Sequence, residues 1–234
     1  MNQVTDNFED EFTQAFSTET LVGDRICLVG LRSADAELRG SAFLKDAPCG
    51  ICPEDEARRP MSPEVVLQLV RDSEDFLAEH LPWVRGVTAP EIAKRMRSWI
   101  FAEQYGQGGC WGVFPTDCDC RNLASCENPQ AGVLAGFIMA EFNLKNRSAT
   151  LSYWLSQKFT GRGLMTDSLK TLSRFCFDVL KLNRLELSVS VTNEKSSAVA
   201  TRAGFVEEGV SRDFERINGI FVDHRRFSLL ARDL

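Results

Sequence analysis

The chain has 234 residues, 44% of them hydrophobic and 26% charged, which is enough to bury one substantial core in the ordinary globular range. A net charge of −6 with a pI near 5.1 argues against a nucleic-acid binder, which needs clustered Lys and Arg, and suits a cationic or amine substrate better. No run of 18 apolar residues occurs and Met1 to Glu19 is acidic and polar, so a soluble, cytoplasmic chain with no membrane contact is expected.

Residues 1–22 mix acids, Thr and scattered Phe without a period and read as a flexible or loosely docked arm. Arg25 to Gly30 is the first strand. Ser33 to Leu44 has a helical pattern, and Asp46 to Met61, with three prolines and Cys49-Gly-Ile-Cys52, reads as loop, so 33–61 is an insertion. Ser62 is an N-cap, Pro63 the first helical position and Glu64 a first-turn acid; Val66, Leu69, Val70, Phe76 and Leu77 continue at helical spacing. The same grammar at Thr88, Pro90 and Glu91 opens a second helix with Ile92, Met96, Trp99 and Ile100 on its apolar face, ending at Gly106.

Cys110 to Phe114 and Val133 to Phe142 are paired strands whose connection, 115–130, is too long for a tight hairpin and is a second insertion. Leu151, Tyr153 and Leu155 alternate with Ser152, Trp154 and Ser156 in the next strand, and a glycine loop follows directly. In the helix after it, Leu169, Leu172, Cys176 and Val179 share the inner face. Leu185, Leu187, Val189 and Val191 alternate in a further strand, and a short helix, about 196–203, closes at Gly204-Phe205. Asn218-Gly219 is a type I′ hairpin signal between strands 210–217 and 220–230. Residues 23–234 therefore form a single domain with two insertions.

A strand, then Lys158-Phe159-Thr160-Gly161-Arg162-Gly163, then a helix beginning at Leu164 is a geometry suited to phosphate. The glycines allow close backbone approach, amides 159 to 164 point inward, the helix adds its positive end, and Lys158 and Arg162 add charge or are solvated surface residues. No Gly-Lys-Ser/Thr follows, and the third glycine of a dinucleotide fingerprint is absent.

Tyr153-Trp154-Leu155, Gly161-Arg162-Gly163-Leu164-Met165-Thr166, Leu182-Asn183-Arg184, Asn193-Glu194-Lys195-Ser196 and Gly204-Phe205 together resemble the RimJ/RimL branch of the GNAT superfamily of N-acetyltransferases, over about residues 62–230. The resemblance implies an α/β (α+β) fold whose mixed, mostly antiparallel sheet splays between its fourth and fifth strands, 150–156 and 184–191, with helices on both faces. It implies acetyl-CoA as cosubstrate, its pyrophosphate on the 158–164 loop and its pantetheine arm in the splay, paired with backbone near Trp154, Leu155 and Ser156. The side chains of Trp154 and Leu155 are read as strand core. By position Asn193 contacts the cofactor and the Ser196 hydroxyl lies near the thioester sulfur, or either caps the short helix. Relatives of this branch are often dimers, which makes a homodimer one expectation.

The acceptor must lose a proton before its nitrogen can attack. Glu215 matches the base position of serine-acetylating relatives; the alternative is a solvent-facing strand residue. Many relatives carry a glutamate where this chain has Thr150, so any base duty borne there is lost or moved. His80 and His224, the only histidines, read as a helix-end and a strand-surface residue. Cys49 and Cys52 with Cys118, Cys120 and Cys126 have enough sulfur for a zinc site, but irregular spacing favours free thiols and no metal is expected. The resulting expectation is an acetyl-CoA-dependent transferase acting by direct attack on the thioester. The acceptor is a protein or peptide N-terminal amine, or else a small amine such as a polyamine or aminoglycoside. A non-catalytic CoA-binding regulatory module is the remaining alternative.

Overall fold

A computed structural model describes Phe12 and residues 20–31, 61–116 and 133–234. Its strands are β1 (Leu21–Val22), β2 (Ile26–Gly30), β3 (Gly108–Pro115), β4 (Gly136–Asn143), β5 (Ser148–Leu155), β6 (Arg184–Ser190), β7 (Val206–Ile217) and β8 (Ile220–Leu230). Its helices are α1 (Pro63–Arg71), α2 (Glu74–Ala78), α3 (Ala89–Gln104), α4 (Leu164–Arg174) and α5 (Glu194–Arg202). The strands form one sheet in the order β1-β2-β3-β4-β5-β6-β8-β7, with every neighbouring pair antiparallel except β5 and β6. The mixed, mostly antiparallel sheet expected from the motifs is therefore the one that forms. The short β1 at the edge makes the parallel pair the fifth and sixth strands instead of the fourth and fifth.

Helices cover both faces. Trp111 of β3 meets Phe175, just past α4, edge to face at 6.2 Å, and β3's other face lies against Trp99 of α3 at Gly108 and against Met61 at Gly112. Leu28, Trp111, Phe114, Ile138, Leu164, Leu169 and Leu172 are fully buried between these layers. Phe12 is buried too, edge-on to Phe142 at 5.2 Å.

The caps act as expected. Ser62 Oγ accepts from the Val65 amide, Thr88 and Glu91 form a capping box, and Asn218 (φ 50) and Gly219 (φ 87) both sit at the positive φ of a type I′ turn. The inserted segment 33–61, including the helical pattern at 33–44, and the 115–130 loop lie largely outside the described residues.

Four local expectations are corrected. The helix expected to run from Ser62 through Leu77 is two helices, because Ser73 (φ −137) leaves helical geometry: its buried hydroxyl bonds Ser156 Oγ at 2.8 Å and accepts from the Gln157 amide at 3.0 Å. Val179 does not join the inner face. A π-helical turn over Phe175–Val179 adds a residue to the last turn, which swings Val179 out to 60% exposure and brings Leu180 in. The short helix starts at Glu194, two residues early, and β7 starts at Val206, its pairing with β8 interrupted by irregularities at 207–209 and 211–215.

Candidate active site

The parallel pairing of β5 with β6 is limited to Ser148 with Arg184, Ala149 with Leu185 and Thr150 with Glu186. Beyond Thr150 each strand keeps its outer partner, β5 along β4 to Leu155 and β6 along β8 to Ser190, and the inner edges separate. Backbone direction alternates along a strand. The Ser156 amide donates to Ala135 and the Arg147 carbonyl accepts from Asn183, so even-numbered residues turn their backbone to β4 and odd-numbered ones to β6. The peptide groups facing the gap are thus those of Tyr153 and Leu155. Trp154 pairs with Phe137 of β4 and the Ser156 amide is directed the same way, while the Ser156 carbonyl accepts from Phe159. The Ser156 side chain is also fully buried against Ser73, and Trp154 is core, 5.6 Å from the Phe137 ring and 6.4 Å from Trp83.

Below the gap lies the glycine loop. The amides of Phe159 and Thr160 are spent on the carbonyls of Ser156 and Gln157, so the inward amide run is shorter than 159 to 164. Gly161 (φ 75) and Gly163 (φ 79) turn the chain through a conformation that costs other residues about 1 kcal/mol or more, and a Cβ at Gly161 meets nothing within 4 Å. The first bond into α4 is from the Asp167 amide to the Gly163 carbonyl, which leaves Leu164, Met165 and Thr166 as orphan donors at the positive end of an 11-residue helix. Thr166 Oγ1 is buried beside them with no partner among the described residues. Asp167 does not oppose an anion, because its carboxylate accepts the Arg25 amide at 2.7 Å on the β2 side. Lys158 is half exposed, 3.8 Å from Asp72, and the Arg162 carbonyl accepts from Arg25. Leu164 is buried and Phe159 anchors the loop in the core.

Past the end of β6, Asn193 Oδ1 accepts the Ser196 amide at 3.0 Å, so Asn193 is the cap of α5. The Ser196 hydroxyl points instead at β5, 2.7 Å from Tyr153 Oη, which closes a hydroxyl pair across the gap. Burial pushes the Tyr153 phenol up to about 12, partly offset by the Ser196 bond, so it remains a proton donor at neutral pH. Tyr153 lies in the Tyr153-Trp154-Leu155 motif, where strand alternation gives its face but no local signal gives its hydroxyl partner 43 residues away.

The opposite face of the same strands carries Thr150, Ser152, Glu186, Ser188, Ser190 and His224. Thr150 and Ser152 are exposed. The missing glutamate of position 150 has a carboxylate on each side of it across the sheet, Glu141 on β4 and Glu186 on β6. Glu186 is held by Arg184 Nε at 2.8 Å. Glu215 is half exposed on β7, 3.5 Å from His224 Nε2. His224 is not a strand-surface residue: it is 4% exposed, because its ring is covered by Phe214 at 4.8 Å between centroids. Desolvation lowers its imidazole, against Glu215 which raises it, and Arg226 and His80 push it further down. No pattern in the sequence marked His224, since its burial comes from Phe214 on the other strand of the hairpin. Cys27, Cys110 and Cys176 are buried and in no disulfide, and burial pushes Cys176 up to about 12; the cysteines at 49, 52, 118, 120 and 126 lie outside the described residues. Among the described residues no group of three His, Cys, Asp or Glu is placed to hold a metal.

An anion nest at a helix start, leading into a gap in a splayed sheet with a hydroxyl pair across it, is the arrangement of an acyl-transferring α/β domain. The chain belongs to the acetyltransferase (GNAT) domain family, whose model matches residues 59–206, and is an acetyl-CoA-dependent N-acetyltransferase. It is 40% identical over 163 residues to a putative ribosomal N-acetyltransferase, YdaF of Bacillus subtilis (strain 168), covering 62% of this chain and 88% of that one. It is 24% identical over 157 residues to the ribosomal-protein-serine acetyltransferase of Escherichia coli (strain K12), covering 67% and 80%. A solved RimL ribosomal-protein acetyltransferase in complex with coenzyme A superposes with a TM-score of 0.66 at 22% identity, over 91% of this chain and 98% of that one, which speaks for the fold.

Proposed function

We propose that this enzyme acetylates the N-terminal α-amine of a protein or peptide in the cytoplasm. The observation that carries the reading is the gap beyond Thr150, with the Tyr153 and Leu155 peptide groups on its edge, the Tyr153–Ser196 hydroxyl pair on the α5 side and an exposed polar face on the other. A ribosomal acceptor is favoured by the names of the relatives, and two exposed small polar residues, Thr150 and Ser152, leave room for the end of a chain.

The orphan amides of Leu164 to Thr166, with Gly161, Gly163 and Thr166 Oγ1, receive the pyrophosphate, because oriented amides at a helix start bind anions without a side-chain charge. The Leu155 and Tyr153 peptide groups pair with the pantetheine amides and fix the thioester in the gap. Orientation supplies the larger part of the rate, and a strand amide aimed at the developing oxyanion adds electrostatic support. The deprotonated amine attacks from the Thr150 face. As the carbon–sulfur bond breaks, the Ser196 hydroxyl protonates the sulfur and is reprotonated through Tyr153, and the proton lost by the acetylated nitrogen restores the pair.

The test is transfer of radiolabelled acetyl to a panel of N-terminal peptides (Ser, Ala, Thr and Met starts), spermidine and an aminoglycoside. The expected outcome is a kcat/KM for at least one peptide about tenfold or more above every small amine. Preference for spermidine would replace the acceptor, and acetyl-CoA binding without transfer to any amine would make the chain a regulatory module.

A further inference from the structure

His224 is the one histidine in the core, and both of its ring nitrogens are buried with no hydrogen-bond partner among the described residues. Buried polar atoms are nearly always satisfied, so a ring with two unsatisfied nitrogens calls for an explanation outside ordinary packing. Its position supplies one. His224 pairs with Ser190, the last residue of β6, where β5 has already departed, and it faces the side of the sheet that carries Thr150 and Ser152. Glu215 Oε2 lies 3.5 Å from Nε2, and the Glu215 side chain is half exposed to solvent. The remaining charged or titratable neighbours are Arg226 on β8, whose guanidinium is directed to Ser188 and Glu186, and His80 just after α2. The α2 side is tied to the hairpin by Asn218 Nδ2, which donates to the Ala78 carbonyl at 3.0 Å, so Glu215 and His224 are held in register with α2.

We infer that Glu215 and His224 act as one proton-accepting pair for the acceptor amine, Glu215 receiving the proton at the surface and His224 holding it inside. The inference deepens the proposed function and rests on it. The chemistry favours a pair over a lone carboxylate: as classes, carboxylates lie several pH units below an α-ammonium in basicity and an imidazole within about one to two, and the Glu215 carboxylate beside the ring opposes the lowering that burial imposes on His224. The steps balance. One N–H bond of the acceptor ammonium breaks, its proton passes to Glu215 and then to His224, and the electron pair stays on nitrogen. The neutral amine attacks the thioester carbonyl; when the carbon–sulfur bond breaks, a second N–H proton ends on sulfur, giving the amide and the thiol. The first proton leaves the pair to solvent. Glu215 is the catalytic residue in this scheme and His224 a positioning and proton-holding one.

The full chain and its Glu215→Gln and His224→Gln variants test the pair in two ways. Proton NMR follows the His224 ring titration, and kcat/KM for the best amine of the panel is measured from pH 5.5 to 9. Expected are a downward move of the His224 midpoint in E215Q, a loss of roughly 10²-fold in kcat/KM at pH 7 in each variant, no further loss in the double variant, and a shrinking loss toward pH 9. Coenzyme A affinity stays within about threefold. An unmoved midpoint, additive losses or a loss constant with pH overturns the pair. If His224→Gln does not fold, the exposed Glu215 variant alone decides, by its midpoint shift and its pH profile. If the parent acetylates no amine, the proposed function fails while the NMR arm still decides whether the two groups are coupled.

Discussion

Gly161 combines the two properties a phosphate loop needs from one residue, a positive φ and open space where a side chain would be, next to the unpaired amides of the α4 start. Glutamate there carries a backbone cost of about 1 kcal/mol, small enough for the domain to fold, and places an anion in a nest built for one. Gly161→Glu is expected to remain folded by circular dichroism and to lose at least tenfold in coenzyme A affinity by calorimetry. Unchanged affinity in a folded variant would remove the loop from the site. At the same scale the Ser196 and Tyr153 hydroxyls meet at 2.7 Å across the gap, a contact that neither residue shows by itself.

The α5 element is held by its cap. Asn193 Oδ1 accepts the Ser196 amide, the donor pattern that stabilises helix starts by about 1 kcal/mol, and Arg225 ties the other side of the helix through Ser197 and Glu194. Aspartate caps as well as asparagine and lacks the amide NH2 that a cofactor contact would use. Asn193→Asp is therefore expected to hold its urea midpoint, with a stability change of about 0.5 kcal/mol or less, while coenzyme A affinity falls severalfold. Equal affinity would make Asn193 a cap and nothing more. Ser73 is the comparable device between α1 and α2: by breaking the helix it fastens the residues just before the phosphate loop, through Ser156 and the Gln157 amide.

For the molecule as a whole, the pH dependence of stability separates two groups. Arg184 and Ser228 hold the Glu208 carboxyl down at about 2, so its contribution is present above the ordinary carboxylate range and is lost only as pH falls toward 2. His224 is depressed by desolvation, so the unfolded chain binds more protons than the folded one below about pH 6.5. Its contribution is present above that pH and is lost as pH falls through the folded value, leaving the interval from pH 7 to 5 to report on His224. The fall in unfolding free energy across that interval is expected to be smaller in His224→Gln than in the parent, by urea titration at both pH values; equal falls would mean that the buried ring does not titrate on unfolding. No helix among the described residues is long and apolar enough to cross a membrane.

Local chemistry was enough for the caps at Ser62 and Thr88, the Asn218-Gly219 turn, the alternating strands and the glycine loop with its helix, because each depends on residues within a turn or two of one another. Motif order was enough for the family and for the mixed sheet. The amino-acid sequence did not disclose which backbone edges face the gap, because that depends on where β6 leaves β5, or that Val179 turns outward, which follows from a single extra residue in the π-helical turn. It did not disclose the burial of His224 beside Glu215 or the meeting of Tyr153 with Ser196, 43 residues apart in the chain. Periodicity reports the face of an element; only the packing of strands and helices against one another decides which faces meet, and the candidate site is made of such meetings.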